Sequence, residues 1–112
     1  MKVRDDLTRV ELAILAALTS KERYGLEIIR TLDKMGQGLS LAGLYTSLAR
    51  MEKQGLVKSR WGEEEVEARQ GARRRYYEIT GLGQKSFDQT KSILTRVLRF
   101  APGAAGFAGE VA

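Results

Sequence analysis

Apolar residues recur at helical spacing in the first part of the chain. From Thr8 to Leu18 few positions are polar, so we expect a largely buried helix, and Thr8 followed by Glu11 has the pattern of a capping box. A second helical pattern covers residues 24–35 and ends at Gly36, because glycine tolerates the left-handed backbone of a helix C-cap. These patterns predict two helices joined by a short polar connector.

A third helical pattern begins at Ser40, a residue favoured at the N-cap, and ends before Gly55. Only a few glycine-containing residues separate it from the second helix, which is typical of a helix-turn-helix unit. Its apolar positions are spaced by three and four residues and predict a single buried stripe. They are Leu41, Leu44, Leu48 and Met51.

After Gly55 the pattern changes from helical to alternating. Residues 56–61 and 73–80 contain β-branched or aromatic residues in imperfect alternation, so both are predicted to be strands. The charged residues 62–72 contain two glycines and are expected to form the long tip of a hairpin. We expect Trp61 to be buried as a plug under this hairpin.

Thr80 is the predicted N-cap of a last helix over residues 82–100. The fold is therefore mainly α with a small β-hairpin. We interpret it as a winged helix-turn-helix DNA-binding domain in residues 1–81, followed by a C-terminal dimerisation helix at 82–100. Residues 1–7 are expected to form a loose arm or a helical extension, and residues 101–112 a disordered tail.

The composition narrows the function classes. The chain has 112 residues, a net charge of +5 and neither cysteine nor histidine. These absences exclude disulfides and thiolate zinc sites and remove the commonest general base and metal ligand, so we expect no enzyme, no metal and no cofactor. The acidic cluster between Glu63 and Glu67 is the weakest alternative, an enzyme that uses carboxylates, because it lies on a loop without a partnering base. We also expect no membrane partner and a cytoplasmic location, since the chain has neither a spanning apolar run nor a signal-peptide pattern.

The third helix has one polar face that suits a nucleic-acid partner. With Leu44 directed at the core, a step of about 100° per residue turns Thr46, Arg50 and Lys53 outward. Thr46 could hydrogen-bond a base edge, and the two cations could contact phosphates or guanine. An ordinary solvated helix face is the alternative interpretation. The candidate DNA-binding residues here are Ser40, Tyr45, Thr46, Arg50 and Lys53.

The predicted hairpin forms a second basic surface. If Tyr77 faces the core, alternation turns Arg74 and Tyr76 outward, and arginine interleaved with tyrosine suits phosphate or minor-groove contacts. Alternatively, some of the arginines neutralise the glutamates of the tip. A helix N-terminus favours phosphate, so the start of the second helix is expected to touch the flanking DNA backbone. The candidates are Lys58, Arg60, Arg73, Arg74 and Arg75 in the hairpin, and Lys21 and Tyr24 before the second helix.

The predicted last helix has an apolar face wider than one intramolecular contact needs. Pairing with the same helix of a second chain would bury this face and relate two DNA-binding units by a two-fold axis. Packing against the chain's own first helix is the alternative, and both could hold in part. The candidate dimerisation residues are Phe87, Ile93, Leu94, Val97, Leu98 and Phe100.

Short motifs in residues 10–83 together resemble the PadR family of bacterial winged-helix transcriptional regulators. The resemblance implies a homodimeric repressor that binds palindromic double-stranded DNA through helix 40–54 and the hairpin 56–80, with the C-terminal helix as the dimerisation arm. The single C-terminal helix is similar to that of the family's short size class. The motifs are Tyr24-Gly25-Leu26-Glu27-Ile28, Leu39-Ser40, Gly43-Leu44-Tyr45, Leu48-Ala49-Arg50-Met51-Glu52, Gly55-Leu56-Val57, Arg74-Arg75-Tyr76-Tyr77-Glu78-Ile79-Thr80 and Gly83.

Two departures from the family pattern bear on function. Thr46 stands where the family usually has proline, which indicates a different DNA sequence preference. In the short class, a multidrug-responsive member holds flat aromatic ligands between tryptophans of the dimer helices, but the only tryptophan here is Trp61, so that pocket is not carried over. A small apolar or aromatic effector could still bind near Phe87, Ile93 and Phe100. The alternative function is a winged-helix protein-interaction module without specific DNA binding.

Overall fold

The computed structural model describes residues 2–63 and 73–101. The described part contains four helices and a three-stranded antiparallel sheet, which confirms a mainly α fold with a small β-hairpin. The elements in chain order are α1 (Arg9–Leu18), β1 (Arg23–Tyr24), α2 (Gly25–Lys34), α3 (Leu41–Lys53), β2 (Val57–Trp61), β3 (Arg75–Ile79) and α4 (Gly81–Phe100).

The sheet has the strand order β1-β3-β2, so that β3 is central. The predicted hairpin is the β2–β3 pair, in which Ser59 lies opposite Tyr77. We refer to this pair as the wing. On the other side of β3, Arg23 also lies opposite Tyr77, in the two-residue strand β1. The alternation pattern did not predict β1, because two residues are too few to show a period.

The predicted helix caps are confirmed. Thr8 Oγ1 accepts a hydrogen bond from the Glu11 N–H (3.1 Å), and Glu11 Oε1 accepts one from the Thr8 N–H (2.9 Å), which completes the capping box of α1. Ser40 and Thr80 cap α3 and α4 through their hydroxyls, which accept hydrogen bonds from the Gly43 and Gly83 N–H groups. Gly36 has φ +78°, the left-handed conformation expected after α2.

The core lies between α1, α2, α3 and the wing. Leu44, Leu48 and Met51 are fully buried, as the stripe on α3 predicts. Leu41 is an exception at 42% exposure, because it occupies the first position of α3 and borders an open groove beside the start of α2. Tyr77 faces the core as expected, and its burial raises the pKa of its hydroxyl.

Two expectations about the edges of the domain are wrong. Trp61 is not a core plug but is 53% exposed, because it occupies the last register position of β2, beyond the level at which Tyr77 and Val57 close the core. The segment before α1 is neither loose nor helical. Its backbone donates hydrogen bonds to Ser86 and Thr90 of α4, and Leu7 is buried.

Arg4 anchors this first segment through its side chain. Its guanidinium donates a hydrogen bond to the buried carboxylate of Glu11 (3.0 Å). Burial alone would raise the pKa of Glu11, but the hydrogen bonds from Thr8 and Arg4 outweigh it, so the pKa lies below its ordinary value of 4.5. The first segment is therefore part of the folded domain.

The two halves of α4 have different surroundings. Its first half packs against α1 and β3, and buries Gly83, Ser86 and Thr90. Its second half is largely exposed as far as Phe100. In the described part of the chain, no helix is both long and apolar enough to cross a membrane. Of the predicted tail only Ala101 is described, and most of the predicted hairpin tip, including Glu64, Glu65 and Glu67, lies outside the described residues.

Candidate nucleic-acid interface

The polar face of α3 is exposed, as its period predicts. Thr46, Arg50 and Lys53 all lie on the side opposite the buried stripe. Near the start of the helix this face carries only Ala42 and, half-buried, Gly43, so a partner can approach the backbone closely. Thr46 Oγ1 donates to the Ala42 carbonyl (3.0 Å), which leaves the hydroxyl oxygen to accept a hydrogen bond from a base edge.

The two cations on this face have no side-chain partner in the part of the chain that the structure describes. Within residues 2–63 and 73–101, neither Arg50 nor Lys53 makes a hydrogen bond or an ion pair through its side chain. Both lie in the last turn of α3. Their full positive charge is therefore available to an anionic partner such as DNA phosphate.

Ser40 and Tyr45 have structural contacts besides their candidate role. Ser40 Oγ accepts the Gly43 N–H (3.0 Å) as the N-cap of α3. The Tyr45 ring lies 6.5 Å from the ring of Tyr77 and covers Gly25, where any Cβ would overlap the Tyr45 hydroxyl. Gly25 thus permits Tyr45 to lie across the start of α2, and Tyr45 remains 42% exposed.

The cations of β2 are paired with carboxylates. Lys58 Nζ lies 2.9 Å from Glu78 Oε1, its cross-strand neighbour. The Arg60 guanidinium donates two hydrogen bonds to Glu22, and this interaction raises the pKa of Arg60 further above its ordinary value. Both side chains remain exposed, but an acidic group accompanies each positive charge.

The outer face of the sheet carries a stack of arginine and tyrosine side chains. The Arg74 guanidinium lies 4.3 Å from the centre of the Tyr24 ring, and Tyr24 meets Tyr76 edge to face at 5.7 Å. Arg60 lies 4.9 Å from the Tyr76 ring centre. The candidate Tyr24 therefore belongs to this stack, whereas Lys21 is exposed in the connector before β1.

Arg75 points to the opposite face of the sheet, the one that also carries Tyr77. Its Nε and Nη2 donate to Ser59 Oγ at 3.0 and 2.8 Å, and Nη2 lies 3.7 Å from Glu52 Oε1. Ser59 in turn donates to Glu52 Oε2 at 2.8 Å. This Glu52–Ser59–Arg75 cluster joins α3 to the wing.

Arg73 lies at the base of the tip and donates two hydrogen bonds to the Gly62 carbonyl (3.1 and 2.8 Å). It borders an open groove between the wing and the first turns of α2 and α3, with a volume of about 620 Å³. Exposed Leu26, Leu41 and Trp61 also line this groove. The groove continues the exposed face of α3 toward the wing.

Sequence reasoning missed the acidic partners of these cations. Glu22, Glu52 and Glu78 show no pattern along the chain that links them to particular arginines or lysines. The cross-strand register would have assigned Glu78 to Lys58, but the long tip leaves that register open. For Glu22 the sequence offered no signal, because its partner Arg60 lies 38 residues later. For Glu52 it offered none either, because its partner Arg75 lies on another element.

The dimerisation candidates fall into two groups. Phe87 packs against the chain's own core. Ile93 is half-buried, and the others are exposed on the second half of α4, up to 88% for Phe100. The exposed ones are Leu94, Val97, Leu98 and Phe100.

A comparison with protein families identifies one for this chain, and a search of known proteins finds a relative. A model of the transcriptional regulator PadR-like family matches residues 14–89. An uncharacterised protein of Lysinibacillus sphaericus is 32% identical over 87 residues, which span 73% of this chain and 76% of that protein.

Solved structures share the fold. A PadR family transcription regulator from Clostridium difficile superposes with a TM-score of 0.73 at 27% identity, over 82% of this chain and 93% of that one. Bacillus subtilis PadR, in complex with operator DNA, superposes with a TM-score of 0.63 at 19% identity, over 72% of this chain and 46% of that one. The second match is a likeness of fold alone.

Proposed function

This chain belongs to the PadR-like family of transcriptional regulators, and we propose that it is a cytoplasmic, homodimeric repressor that binds a palindromic operator. The family consists of transcription regulators and not enzymes, which removes the carboxylate-enzyme alternative. In this proposal residues 1–81 bind DNA and residues 82–100 join two chains. The observation that carries it is the exposed face of α3, where Arg50 and Lys53 have no partner among the described residues.

The face of α3 suits the major groove of DNA. The groove is about 12 Å wide and admits one α-helix, and the small side chains at the start of α3 permit a close approach. Thr46 and Arg50 are the proposed contacts to base edges, and Lys53 the proposed contact to phosphate. Operator DNA in the Bacillus subtilis PadR structure supports this choice of partner for the fold.

In this proposal the wing contacts the DNA backbone and does not read bases. Arg74, Lys58 and Arg60 supply positive charge, but nearby carboxylates and rings already engage them, and a backbone carbonyl engages Arg73. Arg75 holds the wing against α3, and Lys21 contacts flanking phosphates. The proposed wing contacts are sequence-independent and strengthen all DNA binding alike.

The exposed half of α4 supports the proposed dimer. Gly83, Ser86 and Thr90 form its buried stripe, and the same line continues into Ile93 and Val97, where the chain's own domain no longer covers it. A second copy of α4 would remove these apolar side chains from water.

Sedimentation equilibrium tests the dimer with a matched pair of variants. We expect Val97→Asp to be monomeric, because it places a charge in the proposed interface. Thr95→Asp carries the same new charge on the opposite, polar face of α4 and should remain dimeric. A monomeric parent protein, or a dimeric Val97→Asp variant, would contradict the proposed interface.

Relief of repression by a small apolar or aromatic effector is the last part of the proposal. Its support is the exposed ring of Phe100, which lies on the same face of α4 as half-buried Ile93, two turns earlier. Titration with the aromatic dye anilinonaphthalene sulfonate should enhance dye fluorescence and release bound operator together. Enhanced fluorescence with the operator still bound would argue against effector control by this surface.

Selection from a random double-stranded DNA pool at two salt concentrations tests operator binding. We expect enrichment of a palindrome, with an affinity that falls as salt rises, because phosphate contacts release counterions. Weak binding without an enriched motif would favour the protein-interaction module over the operator-binding repressor.

A further inference from the structure

α4 and the end of α3 meet at the N-terminus of α4. Thr80 Oγ1 donates to the Gly55 carbonyl (2.5 Å), and the Thr80 N–H donates to the Leu56 carbonyl (3.1 Å). Gly83 lies so close to the Leu56 carbonyl that a Cβ at this position would overlap it. This contact fixes the start of α4, and the packing of its first half against α1 and β3 also helps to set its direction.

The N-terminal segment, residues 4–7, supplies two more attachments along α4. The Arg4 N–H donates to Ser86 Oγ (2.9 Å), and the Leu7 N–H donates to Thr90 Oγ1 (3.3 Å). At about 1.5 Å per residue these hydroxyls lie about 4.5 and 10.5 Å beyond Gly83 along the helix. The side chains of Ser86 and Thr90 are both buried. A buried hydroxyl needs a hydrogen-bond partner, and the N-terminal segment supplies one to each. The N-terminal segment thus adds two hydrogen bonds along α4 to the packing against α1 and β3 that sets the direction of the helix.

The Arg4 side chain connects the same segment to α3. Its Nη1 donates to Glu11 Oε2 of α1 (3.0 Å) and to Oε1 of Gln54, the C-cap residue of α3 (3.1 Å). The planar guanidinium can serve both acceptors while the Arg4 backbone holds α4, because its donors point in fixed directions. Arg4 thereby links α1, α3 and α4 at one point.

We propose that Arg4 is a positioning residue for operator recognition, which holds α3 at a fixed angle to α4 and so sets the half-site spacing that the dimer accepts. The inference rests on the proposed function, since α4 must carry the dimer and α3 must enter the groove. Arg4 and Leu7 lie outside the residues 14–89 that the family model matches, whereas Gln54 and Ser86, two partners of Arg4, lie inside them.

Half-site spacing is sensitive to this angle. One added base pair moves the two half-sites apart by about 3.4 Å and rotates them by about 35°. A dimer with rigid protomers must deform the DNA to follow that change, which we expect to weaken binding about tenfold. A dimer whose α3–α4 angle can vary absorbs part of the change and discriminates less between spacings.

Gln54→Ala is the sharpest variant, because it removes only the α3 end of the link and leaves Arg4, Glu11 and the cap backbone in place. Arg4→Ala removes the whole link, and Arg9→Ala is the control, since it removes an equal charge from an exposed position of α1. The affinities of each protein for the selected operator, and for the same operator with one central base pair added, give a spacing ratio. We expect a ratio near tenfold for the parent and Arg9→Ala, and about threefold or less for Gln54→Ala and Arg4→Ala.

A purely stabilising role would lower the melting temperature, or weaken both operators alike, without changing the spacing ratio. That result for Gln54→Ala would overturn the proposal. The enriched half-site sequence should stay the same in every variant, because none of the substitutions is on the exposed face of α3.

A second measurement needs neither DNA nor the dimer. The chain has no cysteine, so Lys53→Cys and Arg96→Cys place unique spin labels on α3 and α4. When the labelled protein is diluted with an excess of unlabelled protein, most labelled chains pair with unlabelled ones. The measured distance is then the one between the two labels of a single protomer. We expect a narrow distance distribution in the parent and with Arg9→Ala, and a broader one with Gln54→Ala. An unchanged width with Gln54→Ala would refute the link even if the operator experiment failed for another reason.

Discussion

The α3 face carries two cations, and the wing with the two residues that precede β3 carries five, but the two regions differ in what those cations already contact. On α3, Arg50 and Lys53 extend into solvent without a partner in the described part of the chain. In the wing, each basic side chain of the described residues has an intramolecular contact. These are Lys58 with Glu78, Arg60 with Glu22, Arg73 with the Gly62 carbonyl, Arg74 with the Tyr24 ring, and Arg75 with Ser59 and Glu52.

The difference shows that a count of basic residues overstates how much of their charge reaches a partner. An exposed ion pair is worth about 0–1 kcal/mol, so DNA phosphate can displace the acidic group. The displaced carboxylate nevertheless stays near the phosphate and repels it. Each cation of the wing therefore attracts DNA less strongly than a cation of α3. For this reason we assign the reading of bases to α3.

The largest expected effect is on α3. Arg50→Ala should cost about 1–3 kcal/mol of operator binding free energy, because the lost contact is to a base edge. Titration of the selected operator at fixed salt measures this cost. Equal affinities of the variant and the parent protein would show that Arg50 does not contribute to operator binding and would contradict the role given to α3.

The next effect tests the connection between the two regions. Glu52→Ala removes the carboxylate that accepts from Ser59 and faces Arg75. We expect the free energy of unfolding to fall by about 0.5–1.5 kcal/mol, the usual net contribution of a hydrogen bond. Urea unfolding measures this change, and Lys53→Ala, one residue further along α3, is the control that should leave stability unchanged.

A smaller effect should come from releasing a wing cation. Glu78→Gln removes the acidic partner of Lys58 without changing the size of the side chain. We expect nonspecific DNA affinity to rise by about 0.5 kcal/mol or less and its salt dependence to steepen, because Lys58 then contributes its full charge. A fall in affinity would mean that the pairing does not restrain Lys58.

The smallest effect is expected at Arg60. Arg60→Ala should change operator affinity by about twofold at most, because Glu22 already compensates its charge. The same titration at fixed salt measures it beside Arg50→Ala. A loss as large as that of Arg50→Ala would show that the wing reads the operator as strongly as α3 does.

The local parts of the fold could be predicted from the sequence. Caps such as Thr8 and Ser40, and the buried stripe from Leu44 to Met51, depend on residues three or four positions apart. The strand β1 could not, because its two residues are ordered by pairing with Tyr76 and Tyr77, more than 50 positions later.

Contacts between distant residues limited the prediction of the site in the same way. The N-terminal segment is ordered by Ser86, 82 positions after Arg4. Side chains alternate along a strand, so Arg75 lies on the same face as Tyr77, which was predicted to face the core. The sequence could therefore have assigned Arg75 and Arg74 to opposite faces of the sheet. The partner of Arg60 could not, because nothing near it in the sequence indicates Glu22.

The central claim is that α3, and not the wing, reads the operator sequence. Selection from one random DNA pool with the parent protein, Arg50→Ala and Arg60→Ala tests it most directly. The account predicts that the parent and Arg60→Ala enrich the same palindrome, whereas Arg50→Ala loses preference at one position in each half-site. The same change of motif with Arg60→Ala, or an unchanged motif with Arg50→Ala, would contradict it.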